Sequence, residues 1–522
     1  MAYFPVTPSG LPTDEAAPHP RATTWTARAT CGGILFAAIA LTALVARSKT
    51  DGSFVYPVDD AYIHLAAAKH FVESGGHDRA LFSASSSIAW PWLLVLARLA
   101  SLDSSAPLVL NVVAALGLFA IVERAFDAHG SRRAAQLSLA TCLAVPIVPL
   151  ALSGMEHTLH AALATLVAVL GARSFATREK NPWLFLAAAG AVALRYEGAF
   201  VVGAVAILFL ASRRSREAVL LAGAGALPAL VRGVMSIAAN GFFFPVPVMM
   251  KRTELGIDLP IKIYYRLIDN PHVLVTFVLL ALAFALDKDA TDARASERRA
   301  LTFVAAITLA AHVVLAQLGW FYRYEAYSLA IAFVAIALTA IRHADRARAF
   351  VLPLAILALP IVGRAVGAFR TSVLASRNIF DQEAQTASFV RTYYDADTVA
   401  LNDIGAVTFF THAKIVDLMG LASPDIAKAR GMRIDGPLSR DAIDRQTKSE
   451  NARIAIVYDD WFVGSIPTSW RKVGTITIPD NHVCAKDTTS FYSVNEDDRI
   501  LRENFRAFAR HLPEGVIAKE SF

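Results

Sequence analysis

The composition of the chain indicates a membrane protein. Its 522 residues are 55% hydrophobic and 18% charged, whereas soluble domains carry about 25% charged residues. The net charge of +6 includes no run of like charges, so nothing points to nucleic-acid binding. Several uncharged runs reach or approach the roughly 20 residues that a helix needs to cross a bilayer. These runs lie at 29–46, 104–122, 134–155, 158–172, 181–194, 198–212, 218–231, 233–250, 271–286, 300–322, 326–341 and 349–363.

The first 28 residues differ from the rest of the chain. They are rich in Pro, Thr and Ala and have no periodicity, which predicts a disordered tail. The tail is too long for the n-region of a cleaved signal peptide, so the run 29–46 is predicted to be a retained first span.

A first loop, 47–103, follows this span and carries two adjacent carboxylates. Asp59 and Asp60 open the stretch "VYPVDDAYIHLAAAKHFVESGG", which has the pattern of an amphipathic helix. Asp60 and His64 share one helix face, and Asp59 is turned about 100° away. Two interpretations are open. In the first, the pair serves catalysis, because like charges side by side can hold the pKa of one carboxyl up while the other stays ionised and one of the two takes a proton. In the second, Asp59 or Asp60 simply caps the helix.

Basic residues recur in every second gap between the apolar runs, as the positive-inside rule requires of cytoplasmic loops. The alternate gaps and the chain after 367 are therefore predicted to lie outside. The segment 85–101, interrupted by Pro91, is predicted to be re-entrant or interfacial. This gives about eleven crossings with the N-terminus inside. The alternative has twelve crossings, the N-terminus outside and the aspartate pair in the cytoplasm. The basic loops are 123–133, 173–180, 212–217, 287–299 and 342–348.

The chain changes character beyond residue 370. Short β-branched runs alternate with Gly, Pro, Asp and helical stretches, so residues 371–522 are predicted to form a mixed α/β domain. The stretch "LNDIGAVTFF" lacks G-x-G-x-x-G, so a dinucleotide site is not supported. The predicted domains are thus a cytoplasmic tail (1–28), a transmembrane domain (29–370) and an extracytoplasmic α/β domain.

Charged residues near membrane depth are costly and usually mark function. Arg195 and Glu197 join two short apolar segments, Lys251 follows "PVPVMM", and Arg323 and Glu325 lie among aromatics. Each also has a structural explanation: an outer-loop ion pair, a snorkelling anchor or an aromatic belt. By the loop count all of them lie at the outer membrane face. Cations there suit a lipid-linked phosphate, and a nearby carboxylate can take a proton.

A metal site is a weaker interpretation. Glu156, His157 and His160 lie close together in "GMEHTLH", but their spacing is not distinctive of a metal-binding motif. No cofactor is predicted with certainty, and a divalent cation stays open.

Several motifs resemble the C-type superfamily of integral-membrane glycosyltransferases. The resemblance covers about residues 30–425 and rests on "VDDAYIHLAAAKHFVESG", "SGMEHTLHAAL", "LRYEGAF", "FFPVPVMMK", "YRYEAY" and "LNDIGAVTFFTHAKIVDLMGL". These are similar, in order, to segments of bacterial cell-envelope members, above all mycobacterial-type arabinofuranosyltransferases. The likeness to protein mannosyltransferases and lipid A aminoarabinose transferases is more distant. The segments "FSASSSIAWPW" and "PVPVMMK" depart from the family pattern.

The resemblance implies a many-span fold in the bacterial cytoplasmic membrane, a catalytic first outer loop, a polyprenyl-phosphate sugar donor and inverting transfer outside the cytoplasm. We therefore predict a glycosyltransferase with a glycan, glycolipid or protein acceptor and no nucleic-acid partner. A flippase for lipid-linked sugars is the alternative, although the sequence shows no internal repeat. A membrane-anchored glycan-binding protein would not need charges at membrane depth. The predicted site residues are Asp60 and Asp59 as catalytic groups, Arg195, Lys251 and Arg323 on the donor phosphate, and His64, Glu197 and Glu325 in support.

Overall fold

The computed structural model describes residues 20–78, 80–240, 242–251, 253, 256–345 and 351–521. They form a bundle of helices with a small sheet at one end. The predicted tail falls largely outside the described residues. The first helix begins at Pro20, so residues 20–28 belong to it.

The helices of the bundle follow one another with short connections. In the first half they are Pro20–Ser48, Asp60–Glu73 (the loop helix), Trp90–Leu99, Ala106–Ala125, Ser131–Ala144, Ile147–Leu152, His157–Thr177, Pro182–Leu194, Gly198–Ala211 and Ser215–Asn240. In the second half they are Val246–Met250, Leu259–Asp269, Pro271–Asp287, Ala295–Leu315, Ala326–Arg342, Val351–Ile379 and Gln385–Tyr393. Proline stands at N1 or N2 of several, including Pro182–Leu194 and Pro271–Asp287, where its missing N–H costs nothing.

Six helices in the described part of the chain are long and apolar enough to cross a membrane. A seventh span results if the pair Leu259–Asp269 and Pro271–Asp287, bent by 95°, is counted as one. Four shorter apolar helices accompany them, among them Pro182–Leu194 and Gly198–Ala211. The protein is therefore a multi-pass membrane protein, while the number of about eleven crossings stays a prediction.

The outside of the bundle is apolar. Leu41, Leu352 and Val366 are 63%, 71% and 66% exposed, which in water would be costly for so many large side chains. Such side chains fit contact with lipid, whereas the backbone polar groups are satisfied within the helices.

A single helix can contain parts of two apolar runs. The runs 218–231 and 233–250 are separated only by Arg232, and both enter the single helix Ser215–Asn240. The Arg232 guanidinium donates a hydrogen bond of 3.0 Å to the Phe82 carbonyl, so this charge has a polar partner although it lies in an apolar helix.

Within the predicted re-entrant segment 85–101, the helix Trp90–Leu99 has 10 residues, about half the length needed to cross a bilayer.

The basic loops meet one another at one end of the bundle. Arg294 lies 3.4 Å from Asp127 of another loop, Arg342 binds Asp292 at 3.1 Å, and Arg214 donates to the Ser174 carbonyl at 2.6 Å. Arg28, near the start of the first helix, pairs with Glu123 at this same end. The aspartate pair follows the other end of that helix, so it lies at the end of the bundle opposite the basic loops.

The sheet and its helices form the sheet domain. The order of the six strands is β2-β1-β3-β5-β4-β6; β1 is parallel to β2 and β3, and the other pairs are antiparallel. Its helices are Gly405–Phe410 (the docking helix), Pro424–Ala429, Arg440–Ser449 and Asp498–Ala509. The strands are β1 Thr398–Leu401, β2 Lys414–Asp417, β3 Ile454–Val457, β4 Arg471–Thr477, β5 Thr488–Ser493 and β6 Ile517–Glu520. The prediction of a C-terminal α/β domain is confirmed.

Candidate functional site

Asp60 forms an ion pair with a residue far away in sequence. Its Oδ2 accepts a hydrogen bond of 2.6 Å from Nη2 of Arg323. The Arg323 side chain is 2% exposed, whereas that of Asp60 is 33% exposed. The carboxylate is therefore open to a cavity, and the arginine lies behind it as a fixed, buried charge.

A cavity of about 220 Å³, here called the cation-lined cavity, opens beside this pair. It brings together Asp60, Arg195, Glu197, Lys251 and Arg323, five of the eight residues that the sequence singled out. Other residues on its wall include Ser86, Met155, His157, Tyr196, Phe200 and Tyr324. The Tyr324 ring centre lies 5.3 Å from the Arg323 guanidinium and 5.5 Å from that of Arg195, which are cation–π distances.

Several donors on this wall have no partner among the described residues. These are Nε and Nη1 of Arg323, Nε of Arg195 and the hydroxyl of Tyr196. Neither ring nitrogen of His157 makes a hydrogen bond within the described ranges. The Lys251 ammonium also makes no hydrogen bond or ion pair within the described ranges. Buried donors without partners are costly, so this wall is suited to an anionic group that would accept their hydrogen bonds.

Arg195 differs from the other two cations because it already has two carboxylate partners. Its Nη1 donates to Glu156 at 2.8 Å and its Nη2 to Glu197 at 2.7 Å. The helix before it ends at Leu194, and Gly198 starts the next one; a Cβ at Gly198 would lie 2.6 Å from the Ala191 backbone. This tight break places Arg195 and Glu197 inside the bundle. There the carboxylates of Glu156 and Glu197 largely neutralise the charge of Arg195.

A second cavity of about 680 Å³ lies between the bundle and the sheet domain. This interface cavity shares Asp60, Lys251 and Tyr324 with the cation-lined cavity. Asn402 and Asp403, which directly follow β1, also line it. Five carboxylates face two cations, so its wall is acidic. They are Asp59, Asp60, Asp269, Glu383 and Asp403, against Lys251 and Arg266.

The two adjacent aspartates have different environments. Asp59 does not cap its own helix: its backbone is helical and its side chain makes no capping bond there. Its Oδ1 instead accepts from the Ala406 N–H at 2.7 Å and its Oδ2 from the Gly405 N–H at 2.8 Å. The simple capping interpretation is therefore wrong, because the carboxylate binds the N-terminus of a different helix.

Their protonation differs as well. Burial, and then the charge of Asp403, raises the pKa of Asp59 to about 7. Burial also works against ionised Asp60, but the charges of Arg323 and Lys251 hold the pKa of Asp60 well below its usual range. The pKa of Asp59 is thus raised and that of Asp60 lowered. The sequence predicted a raised pKa for one aspartate from repulsion within the pair, whereas burial is the largest cause in the structure.

His64 and Glu325 lie outside both cavities. His64 is 3% exposed; its Nδ1 lies 3.2 Å from the Ser85 hydroxyl and its Nε2 lies 3.8 Å from Glu156. Glu325 binds Arg364 at 2.5 Å and the Gly319 N–H at 2.9 Å. Both side chains are packed behind the site, where they stabilise the segments that carry it.

The described residues provide no evident set of metal ligands. In the described ranges, no group of three or more His, Cys, Asp or Glu side chains is arranged to hold a metal ion. Glu156 accepts a hydrogen bond from Arg195. The His160 ring packs against that of Tyr327, with 4.6 Å between the ring centres.

Some residues of the site were not singled out from the sequence. Tyr324 and Asp403 lie inside the quoted motifs "YRYEAY" and "LNDIGAVTFF" but carried no predicted role. Lys69, which lies inside "VDDAYIHLAAAKHFVESG", likewise carried no predicted role. Only the long-range contacts show what these side chains face.

Comparison with known proteins agrees with this fold. Residues 377–492 match a family model described as "Domain of unknown function (DUF8728)", and no curated protein matches the sequence. The crystal structure of ArnT from Cupriavidus metallidurans in the apo state is similar, with a TM-score of 0.54 at 14% identity, covering 92% of this chain and 99% of that one. At this identity the likeness shows the fold alone. The chain therefore shares the overall fold of ArnT.

Proposed function

We propose that the protein is a glycosyltransferase that moves a sugar from a polyprenyl-phosphate donor to an acceptor hydroxyl at the outer face of the cytoplasmic membrane. The observation that carries the proposal is the position of Asp60. It lies where the cation-lined cavity and the interface cavity meet. Beside it are Lys251, whose ammonium has no partner among the described residues, and Arg323, whose Nε and Nη1 make no hydrogen bond there. The likeness in fold to ArnT, a lipid A aminoarabinose transferase, supports the reaction class.

In this proposal each cavity holds one substrate. The donor phosphate lies in the cation-lined cavity, against Lys251 and the two Arg323 N–H groups that have no hydrogen-bond partner among the described residues. The acceptor enters the larger interface cavity, which is broad enough for a sugar. Asp60 then faces the acceptor hydroxyl from one side and the anomeric carbon from the other. Arg195, already paired with Glu156 and Glu197, helps to shape the donor wall rather than to neutralise the phosphate.

The reaction is a single displacement. The acceptor oxygen forms a bond to the anomeric carbon as the bond from that carbon to the phosphate oxygen breaks, and configuration inverts. Asp60 receives the hydroxyl proton, and the polyprenyl phosphate leaves with the electron pair. Because the bound phosphate shares the charge of Arg323, Asp60 becomes a stronger base when the donor is present.

The proposed orientation has a direct test by cysteine labelling. In a Cys484→Ser background, Ser53→Cys and Ser423→Cys are expected to react with an impermeant thiol reagent on intact cells, after the outer envelope is permeabilised where needed. Ser215→Cys, beside the basic loops, is expected to react only after detergent is added. Cys31 and Cys142 are buried and should stay silent. Labelling of Ser215→Cys with none at Ser53→Cys would reverse the topology.

The reaction is tested with purified protein and synthetic donors. We expect label from at least one polyprenyl-phosphate sugar, among arabinofuranosyl, mannosyl and aminoarabinosyl forms, to appear in an envelope extract used as acceptor. Mass spectrometry of envelope glycans from a strain without the protein then identifies the missing residue. A protein that moves these lipids between leaflets of a vesicle without any transfer would instead be the flippase.

A further inference from the structure

The loop helix, which begins at Asp60, holds the docking helix of the sheet domain at both of its ends. The docking helix, Gly405–Phe410, has 6 residues. A helix this short is not stable alone, because the few hydrogen bonds do not offset the cost of nucleation. Its order therefore depends on what surrounds it.

At its N-terminus the docking helix binds a carboxylate. Both oxygens of Asp59 accept from backbone N–H groups, at 2.8 Å from Gly405 and 2.7 Å from Ala406. The approach is close enough that a Cβ on Gly405 would lie 2.3 Å from the Asp59 carbonyl oxygen. Only glycine allows this contact.

At its C-terminus the docking helix binds an ammonium group. Lys69, 8% exposed, donates to the carbonyls of Phe409 at 2.9 Å and Thr411 at 3.2 Å. A helix carries partial positive charge at its N-terminus and partial negative charge at its C-terminus, so the Asp59 carboxylate and the Lys69 ammonium each lie at the end that favours their charge. Between them, the Tyr62 ring packs 5.9 Å from that of Phe409 and 5.3 Å from that of Phe410.

We propose that Asp59 and Lys69 form a two-point clamp that fixes the sheet domain on the loop helix and so positions Asp60 and Asp403, two of the carboxylates that line the interface cavity. Asp60 follows one end of the clamp directly, and Asp403 precedes Gly405 by two residues. Asp59 is then a positioning residue, not a base. The clamp itself is independent of the proposed reaction, whereas its effect on catalysis rests on the proposed function.

Hydrogen–deuterium exchange of the full chain in detergent tests the clamp without any substrate. Lys69→Met removes one end of it, and we expect the amides of 405–411 to exchange roughly tenfold faster or more, because local opening becomes easier. Lys69→Arg, which can still donate to both carbonyls, should keep most of the protection. Lys519→Met, an exposed lysine of the same domain, is the matched control. Unchanged exchange in Lys69→Met would refute the clamp.

Steady-state kinetics test the positioning. In Lys69→Met we expect kcat to fall about tenfold or more, since small displacements of a catalytic group are expensive, while the KM for the donor stays within about twofold because the donor cavity is intact. Faster exchange with unaltered kcat would overturn the positioning role. If the wild-type protein transfers no sugar, the proposed function fails, and the exchange data still decide the clamp.

A second variant guards against a folding defect in the first. Gly405→Ala places a methyl group against Asp59 and attacks the opposite end of the clamp. Both variants should produce the same local exchange pattern and the same loss of kcat. An effect confined to one end would show two unrelated contacts and contradict the clamp.

Discussion

Asp60→Asn is expected to lower sugar transfer by two or more orders of magnitude. An amide keeps the size of the side chain but cannot accept the proton of the acceptor hydroxyl, and general bases contribute roughly 10²–10⁴-fold. The measurement is transfer of labelled sugar from a synthetic polyprenyl-phosphate donor under single-turnover conditions. Asp51→Asn, in the same loop and 70% exposed, is the matched control and should retain wild-type activity.

Stability has to be followed together with activity in this variant. Asp60 is the ion-pair partner of buried Arg323, and removing one member of a buried pair costs up to about 3–5 kcal/mol. Partial exposure of Asp60 and the remaining amide oxygen should reduce that cost. Asp60→Glu keeps the charge and is expected to fold normally, but its carboxylate is displaced and activity should still fall strongly. Full activity of folded Asp60→Asn would exclude Asp60 as the base.

Lys251→Met is expected to reduce kcat/KM for the donor by roughly tenfold to a few hundredfold, the loss typical of one charge-assisted contact to a phosphate. Because the Lys251 ammonium has no partner within the described ranges, the thermal stability in detergent should not change. Lys262→Met, which removes a partly exposed lysine that pairs with Asp258 at 2.7 Å, is the control. A normal kcat/KM in Lys251→Met would leave Lys251 as an interfacial anchor.

Arg323→Lys should behave differently from Lys251→Met. The guanidinium binds Asp60 through Nη2 and leaves Nε and Nη1 for the phosphate, an arrangement that a single ammonium group cannot reproduce. We expect both the activity and the melting temperature to fall. If only stability falls while kcat/KM for the donor is unchanged, Arg323 acts solely as the partner of Asp60.

The sequence determined the class of protein and the location of its charged loops. Hydropathy is a local property, so the apolar runs predicted a multi-pass protein, and the basic loops do meet at one end of the bundle. The resemblance in motifs predicted the fold that ArnT shares. The boundaries of the helices were less predictable. Arg232 divides two apolar runs in the sequence, yet its long side chain reaches a carbonyl partner and one helix continues through this position.

Only the tertiary structure decided which charges serve which purpose. Local spacing placed Asp60 and His64 on one helix face, but packing turned His64 toward Ser85 and Glu156. By sequence, Arg195 and Arg323 were equivalent candidates. In the structure, Glu156 is a second carboxylate partner of Arg195. Whether a cation is neutralised or free depends on neighbours that are distant in sequence, so no local pattern encodes it.

For Asp59 and Asp60, too, the position of the charges follows from the sequence, and their roles follow from the tertiary structure. The sequence identified both residues because two adjacent carboxylates beside a membrane span are rare on an apolar chain. It could not separate their roles, since their partners lie 263 and 346 positions away. The fold brings Arg323 to one aspartate and the Gly405 amide to the other. Burial and the charge of Asp403 raise the pKa of Asp59, whereas the charges of Arg323 and Lys251 hold the pKa of Asp60 well below its usual range. Local sequence thus set where the charges stand, and long-range packing set what each of them does.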